Sequence, residues 1–154
     1  ELVLGLFPDA ARPGPFLTPS GKVVGEHRGL IHYTVGQRRG IGIAAREPLY
    51  VLALDPSRNA VVVGPRAALY RNVLSVRDTH WVSGDAPTQP LRVLARIRYL
   101  HRAAPARVTP CDGAAAQVRF DEPQLSITPG QSAVFYDGAD GSVLGGGIID
   151  DALP

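Results

Sequence analysis

The stretch Leu91–Leu100 carries three arginines whose spacing could do chemistry. In an extended chain, side chains alternate between faces. One face then holds Arg92, Leu94, Arg96, Arg98 and Leu100, and the other holds Leu91, Val93, Ala95, Ile97 and Tyr99. Like charges two residues apart on a strand stand roughly 7 Å from one another, so they repel unless something neutralises them. Acids on a neighbouring strand would do this, and so would phosphates; the pattern leaves both open. Tyr99 has two readings as well, a core tyrosine or a ring that stacks on an unpaired base.

A second constellation is Gly36-Gln37-Arg38-Arg39-Gly40-Ile41-Gly42. It lacks the Gly-Lys-Ser/Thr ending of a nucleotide loop, and no helix pattern follows to lend a dipole. It reads either as a structural turn or as a tight loop presenting Arg38 and Arg39 to an RNA backbone. Gln131 follows Thr128-Pro129-Gly130, a type II turn sequence, and would be exposed there to meet a base or sugar edge. Other chemistries find less support. His27 and His32 are too few for a metal site and fall on opposite faces of a strand, so no metal site is expected. There is no Gly-x-Ser-x-Gly elbow. Cys111, the single cysteine, reads as a bystander in the turn Thr109–Gly113, so no catalytic residue is assigned.

Composition sets the bounds. The chain has 154 residues, 45% of them hydrophobic and 19% charged, which is a globular composition. No apolar stretch approaches the ~18 residues of a membrane span, and no leader pattern is visible. A cytoplasmic protein without a membrane partner is the expectation. With no methionine and Glu1 at its start, the chain reads as a fragment of something longer. Residues 1–75 carry a net +4, residues 76–120 another +4 and residues 121–154 a net −6. Such a basic body could meet a polyanion through part of its surface.

The elements that must position these residues are strands. Seventeen glycines and fourteen prolines leave little room for long helices. The first seven residues have helix-like spacing, and residues 8–21, rich in proline and glycine, read as an extended loop or linker. Strands are expected at 30–35, 74–82, 91–100, 115–120, 132–136 and 142–149. Leu49–Leu54 and Ala60–Val63 form a hairpin around a five-residue loop with Pro56 at its start. Asp121-Glu122 before Pro123 looks like a strand end. The fold class is therefore all-β, in two small β domains: residues 1–66, a linker plus a central β domain, and residues 67–154.

Several segments occur together and in order: Gly25-Glu26-His27-Arg28-Gly29-Leu30, Tyr33-Thr34-Val35-Gly36-Gln37-Arg38-Arg39-Gly40-Ile41-Gly42-Ile43, Arg98-Tyr99, Phe120–Gln124, Thr128–Gln131 and Gly145–Ile149. Across nearly the whole chain they resemble the C-terminal part of the bacterial tRNA-specific 2-thiouridylases. The resemblance implies a parent tRNA-uridine 2-sulfurtransferase that activates C2 of the wobble uridine with ATP and Mg²⁺. Sulfur would arrive as a persulfide from a relay protein. ATP and Mg²⁺ would belong to a separate N-terminal domain, leaving no cofactor for this stretch and no catalytic role for Cys111. The second domain would be a β-barrel similar to domain 2 of translation elongation factors. The resemblance places tRNA contacts on Arg98, Tyr99 and Gln131, with His101 as a substitute for a family contact, and the arginine patterns above add Arg38, Arg39 and Arg96 as further RNA contacts; tRNA, not DNA, is the implied nucleic acid. Where the family often has Arg-Gln after Arg-Tyr, this chain has Leu100-His101. The alternative is a scaffold, in which the barrels brace a catalytic domain and touch RNA little.

Overall fold

The structure, a computed structural model, describes residues 11–153. The expectation for the first seven residues lies outside them. The chain divides into two compact units, Glu1–Leu69 and Tyr70–Pro154. The described residues contain no α-helix, only strands and short 3₁₀ turns.

The first unit is a four-stranded sheet in the order β2-β1-β4-β3. Its strands are β1 (Gly14–Leu17), β2 (Val23–His27), β3 (Tyr50–Asp55) and β4 (Ala60–Gly64). β1 runs parallel to β4, and the other pairs are antiparallel. The expected hairpin is β3–β4. Asp55 caps its turn: the carboxylate accepts from the Ser57 hydroxyl (2.6 Å), the Arg58 backbone N–H (3.1 Å) and Arg58 Nε (2.6 Å). Those hydrogen bonds, led by Ser57 and Arg58, lower the Asp55 carboxyl to about 2. Asn59 closes the turn in the left-handed region at φ 46°, which asparagine tolerates.

Two expectations for this unit are corrected. The stretch read as a linker contains β1, because Phe16 and Leu17 bury their side chains and pair with Val61 and Val62. Residues 30–35 are not a strand. Leu30–His32 form a 3₁₀ turn entered through Gly29 at φ 123°, a value a side chain would resist. Leu30 and Tyr33 enter the core while Ile31 is 42% exposed, a spacing of three and not two.

The second unit is a closed antiparallel barrel in the order β10-β5-β8-β7-β6-β9, with β9 pairing back to β10. Its strands are β5 (Tyr70–Trp81), β6 (Leu91–Arg96), β7 (Ala104–Cys111), β8 (Ala115–Leu125), β9 (Ser132–Tyr136) and β10 (Val143–Leu153). Inward positions alternate as expected: Val93 and Ala95 from β6, Ala106 and Val108 from β7, Val118 and Phe120 from β8, Ala133 and Phe135 from β9. Three details differ from expectation. β6 stops at Arg96, so Arg98–Leu100 leave the sheet. β8 runs through Asp121, Glu122 and Pro123 to Leu125. Cys111 ends β7 and pairs with Ala115, with the turn after it.

Candidate nucleic-acid interface

Antiparallel pairing brings Arg96, Arg98, Tyr99, His101 and Gln131 to one end of the barrel. β6 and β9 are in register as Leu94↔Tyr136, Ala95↔Phe135 and Arg96↔Val134. The chain leaving β6 therefore meets the chain entering β9. The first supplies the turn Arg98–His101, closed by the His101 N–H donating to the Arg98 carbonyl (3.2 Å). The second supplies Thr128–Gln131, where Gly130 at φ 85° takes the position that a type II turn reserves for glycine. The Gln131 N–H donates to the Thr128 carbonyl at 3.3 Å. Two further bonds stitch this turn to β10: Gly130 N–H to the Ile149 carbonyl and Ile149 N–H to the Gln131 carbonyl, both 2.8 Å.

Between the two turns lies a groove of about 740 Å³. Arg96, Arg98, Tyr99, His101 and Gln131 all line it, with Leu100 beside them. No carboxylate is among its lining residues. Tyr99 is 89% exposed, which decides against the core reading of that ring. Gln131 and His101 are exposed too.

The arginine face separates into two kinds of site. Arg92 forms a two-pronged ion pair with Asp121 across the barrel wall, at 2.9 and 2.8 Å. Hydrogen bonds from that guanidinium hold the Asp121 carboxyl below the ordinary carboxylate range. Arg96 and Arg98 make no ion pair with the described residues. Arg96 Nη2 donates to the Tyr136 hydroxyl, and its guanidinium carbon lies 5.0 Å from that ring's centroid. Arg98 Nη2 donates to the carbonyl of Ser126, a buried residue at φ 53° whose carbonyl also accepts from the Thr128 hydroxyl (3.1 Å). Both cations are thus positioned by neutral acceptors. A guanidinium has five N–H donors, so most remain to meet an anion. Sequence reasoning missed both holders. Tyr136 had a signal, an outward aromatic on a strand next to β6. Ser126 had none, because its contribution is a main-chain carbonyl.

Arg38 and Arg39 belong to the first unit and are both exposed. Their loop is pinned to β3 by Gly36 N–H to the Val51 carbonyl (2.8 Å) and Val51 N–H to the Gln37 carbonyl (2.9 Å). Within the loop, the Gln37 side chain accepts from the Thr34 N–H (3.0 Å) and donates to the Arg39 carbonyl (2.8 Å). The loop is therefore a braced turn, and Arg38 and Arg46 line a cavity of about 360 Å³ together with Glu47.

No group of three or more His, Cys, Asp or Glu among the described residues could hold a metal ion, and the glycine loop leads into no α-helix. His27 is committed elsewhere: buried, it accepts from the Gly29 N–H at Nδ1 (3.0 Å), so Nε2 carries the proton donated to the Asn59 carbonyl (2.9 Å). Cys111 is exposed, with its thiol 3.6 Å from the Thr109 carbonyl.

Comparison with known proteins follows the same two-unit division. Residues 8–65 match the tRNA methyl transferase PRC-barrel domain, and residues 71–149 match the aminomethyltransferase beta-barrel domain. The chain is 56% identical over 142 residues to the tRNA-specific 2-thiouridylase MnmA of Roseiflexus castenholzii, covering 92% of this chain and 38% of that protein. It is 44% identical over 145 residues to the same enzyme of Halothermothrix orenii, covering 94% of this chain and 40% of that protein. The Microcystis aeruginosa relative is 48% identical over 145 residues, covering 94% of this chain and 41% of its own length. The chain thus spans about two fifths of the curated relatives it matches.

Proposed function

The chain belongs to the family of tRNA-specific 2-thiouridylases, aligned with their C-terminal part, and on that premise we propose that its barrel grips tRNA so that one uridine reaches a remote active site. The observation that carries this reading is the groove itself. Two guanidinium groups, Arg96 and Arg98, sit on neutral acceptors beside an exposed Tyr99 and Gln131, with no carboxylate among the lining residues.

In this reading the whole enzyme replaces the C2 oxygen of the wobble uridine with sulfur, using ATP and Mg²⁺ in the cytoplasm, with sulfur handed over by a persulfide-bearing protein. Those steps belong to parts of the enzyme outside these 154 residues. The present residues supply affinity and orientation. Phosphates bound by Arg96 and Arg98 release counterions. Tyr99 offers a face for stacking, Gln131 an amide that both donates and accepts, and His101 a ring at the groove's rim. Arg38 and Arg39 add backbone contacts from the first unit. Holding a folded RNA in one orientation turns binding energy into catalysis, and it helps to offset the few kcal/mol needed to take a base out of its stack.

The test is tRNA binding by the purified chain across a salt series, with Arg98→Ala and Gln131→Ala alongside. Affinity should fall steeply with salt. Arg98→Ala should weaken it by about ten- to thirtyfold, as expected for a charge-assisted contact worth roughly 1.5–2 kcal/mol, and flatten the salt slope. Gln131→Ala should cost about fivefold at unchanged slope. The scaffold alternative has its own support, because Arg98 is also a brace for the Ser126 loop. A folded chain that binds no tRNA at any salt would establish that alternative.

A further inference from the structure

Leu100 is an exposed groove residue that the tRNA-gripping reading leaves without work. It is 89% exposed, as is Tyr99 beside it, at the tip of a four-residue turn closed by a single main-chain hydrogen bond. Isolated exposed leucines need no explanation. Two adjacent large apolar side chains over a cationic floor are a different matter. Val134 continues the apolar lining, while Arg96 and Arg98 supply charge without a counter-ion. Paired RNA stems would use the charge and leave the apolar tip in water, since their bases stay stacked inside the duplex. An unpaired nucleotide uses both, its phosphate on a guanidinium and its base on the apolar face.

We propose that Leu100 and Tyr99 together form a slot for one unpaired nucleobase, so that the groove selects looped over paired RNA. This rests on the tRNA-gripping function above and adds to it the structural class of nucleotide bound and the residue that recognises it. Tyr99 gives the base a π-face, which is tolerant of base identity. Leu100 covers the base from the adjoining position in the turn and shields it from water. Arg98, already oriented by the Ser126 carbonyl, meets the phosphate of the same nucleotide without first having to be ordered.

The experiment measures binding of the 154-residue chain to two RNAs, a hairpin with an unpaired loop and a blunt duplex of the same stem sequence. Wild type, Leu100→Ala, Tyr99→Leu and Arg98→Ala are compared, with the fluorescence of the single tryptophan, Trp81, reporting folding. The expected result is a hairpin bound about tenfold more tightly than the duplex. Leu100→Ala should lower hairpin affinity about three- to tenfold and leave duplex affinity unchanged, and Tyr99→Leu should act in the same direction. A 2-aminopurine in the loop should change its emission on binding wild type and less on binding Leu100→Ala. Equal affinity for both RNAs, or a Leu100→Ala effect that is absent or equal on the two, overturns the slot; a persisting loss with Arg98→Ala then leaves the tRNA grip standing. Binding of neither RNA overturns both.

Discussion

The two units hold themselves together by different means. The barrel is closed: each strand has a partner on both sides, and the ladder returns from β9 to β10. Its interior is a continuous apolar cluster from Leu74 to Ile149. The first unit has an open sheet, with β2 and β3 as edges, and is tied by a polar knot. His27 stands edge-on to Phe16 and Tyr33, at 5.7 and 5.8 Å between ring centroids, while its two nitrogens bridge Gly29 to Asn59. Asn59 in turn donates to the carbonyls of Arg12 and Pro13, at 3.3 and 3.0 Å. A closed ladder satisfies its own main chain, whereas an open sheet must recruit side chains to hold the segments that flank it.

The sharpest way to break this contrast is to remove the knot. His27→Ala should destabilise the first unit by about 3–4 kcal/mol, because it empties buried volume and orphans the Gly29 N–H and the Asn59 carbonyl. Chemical denaturation with amide exchange at β1–β4 would read it. A loss below about 1 kcal/mol would mean that the apolar cluster, and not the knot, holds this sheet.

The barrel's matching weakness is steric. A Cβ on Gly147 would stand 2.6 Å from the Arg77 carbonyl oxygen, and one on Gly145 or Gly146 would stand 2.5 Å from the carbonyl of His80 or Ala133. These glycines lie among the register shifts that β10 makes against β5 and β9. Gly147→Ala should cost about 2–3 kcal/mol, seen as a lower denaturation midpoint by Trp81 fluorescence. A neutral substitution would show that β10 has room to relax.

Acid sharpens the comparison further. Asp55 titrates near 2 in the folded state, below its ordinary 3.8. A depressed carboxylate stabilises above its unfolded pKa and loses that contribution as pH falls through the folded one. Between about pH 4 and pH 2 the β3–β4 turn should lose on the order of 1–2 kcal/mol, and Asp55→Asn should abolish that part of the pH dependence. A pH titration of stability for the two proteins reads it; parallel curves would remove Asp55 from the account.

The smallest effect concerns cations. Arg98 is held in place, whereas no hydrogen bond or ion pair among the described residues holds the side chain of Arg38 or Arg39. Arg38→Ala should weaken tRNA binding only about twofold, since an unheld side chain loses its freedom on binding. A loss equal to that of Arg98→Ala would show that prior positioning contributes nothing here.

Much of this was legible in the sequence where alternation was clean. Leu91–Arg96 and Ser132–Tyr136 read as strands because every second residue faces one interior. β7 was not legible, because Pro105 and Pro110 break the pattern. Both prolines lie near the strand's ends, opposite Leu94 and Ala116, where the ladder tolerates a missing donor. β1 was hidden the same way by Gly14 and Pro15. Residues 30–35 misled in the other direction: mixed apolar and polar residues fit an alternation on paper, whereas Leu30 and Tyr33, three apart, are the ones that enter the core. At the site, the residue types were readable, but the acceptors that seat Arg96 and Arg98 lie 40 and 28 positions away. Only the barrel's closure brings them together.

The stitch between Ile149 and the Gly130–Gln131 turn makes the groove depend on a strand that contributes nothing to its lining. β10 meets β9 as a local hairpin, with partners 7 to 16 residues apart, but its partners on β5 stand 64 to 80 residues away, the most distant pairing in the barrel. Pairing across so long a loop is intrinsically slow. A chain made only as far as Gly147 holds every side chain of the groove and lacks the Ile149 stitch to its second turn. Loss of β10 would undo the groove without removing one residue that lines it.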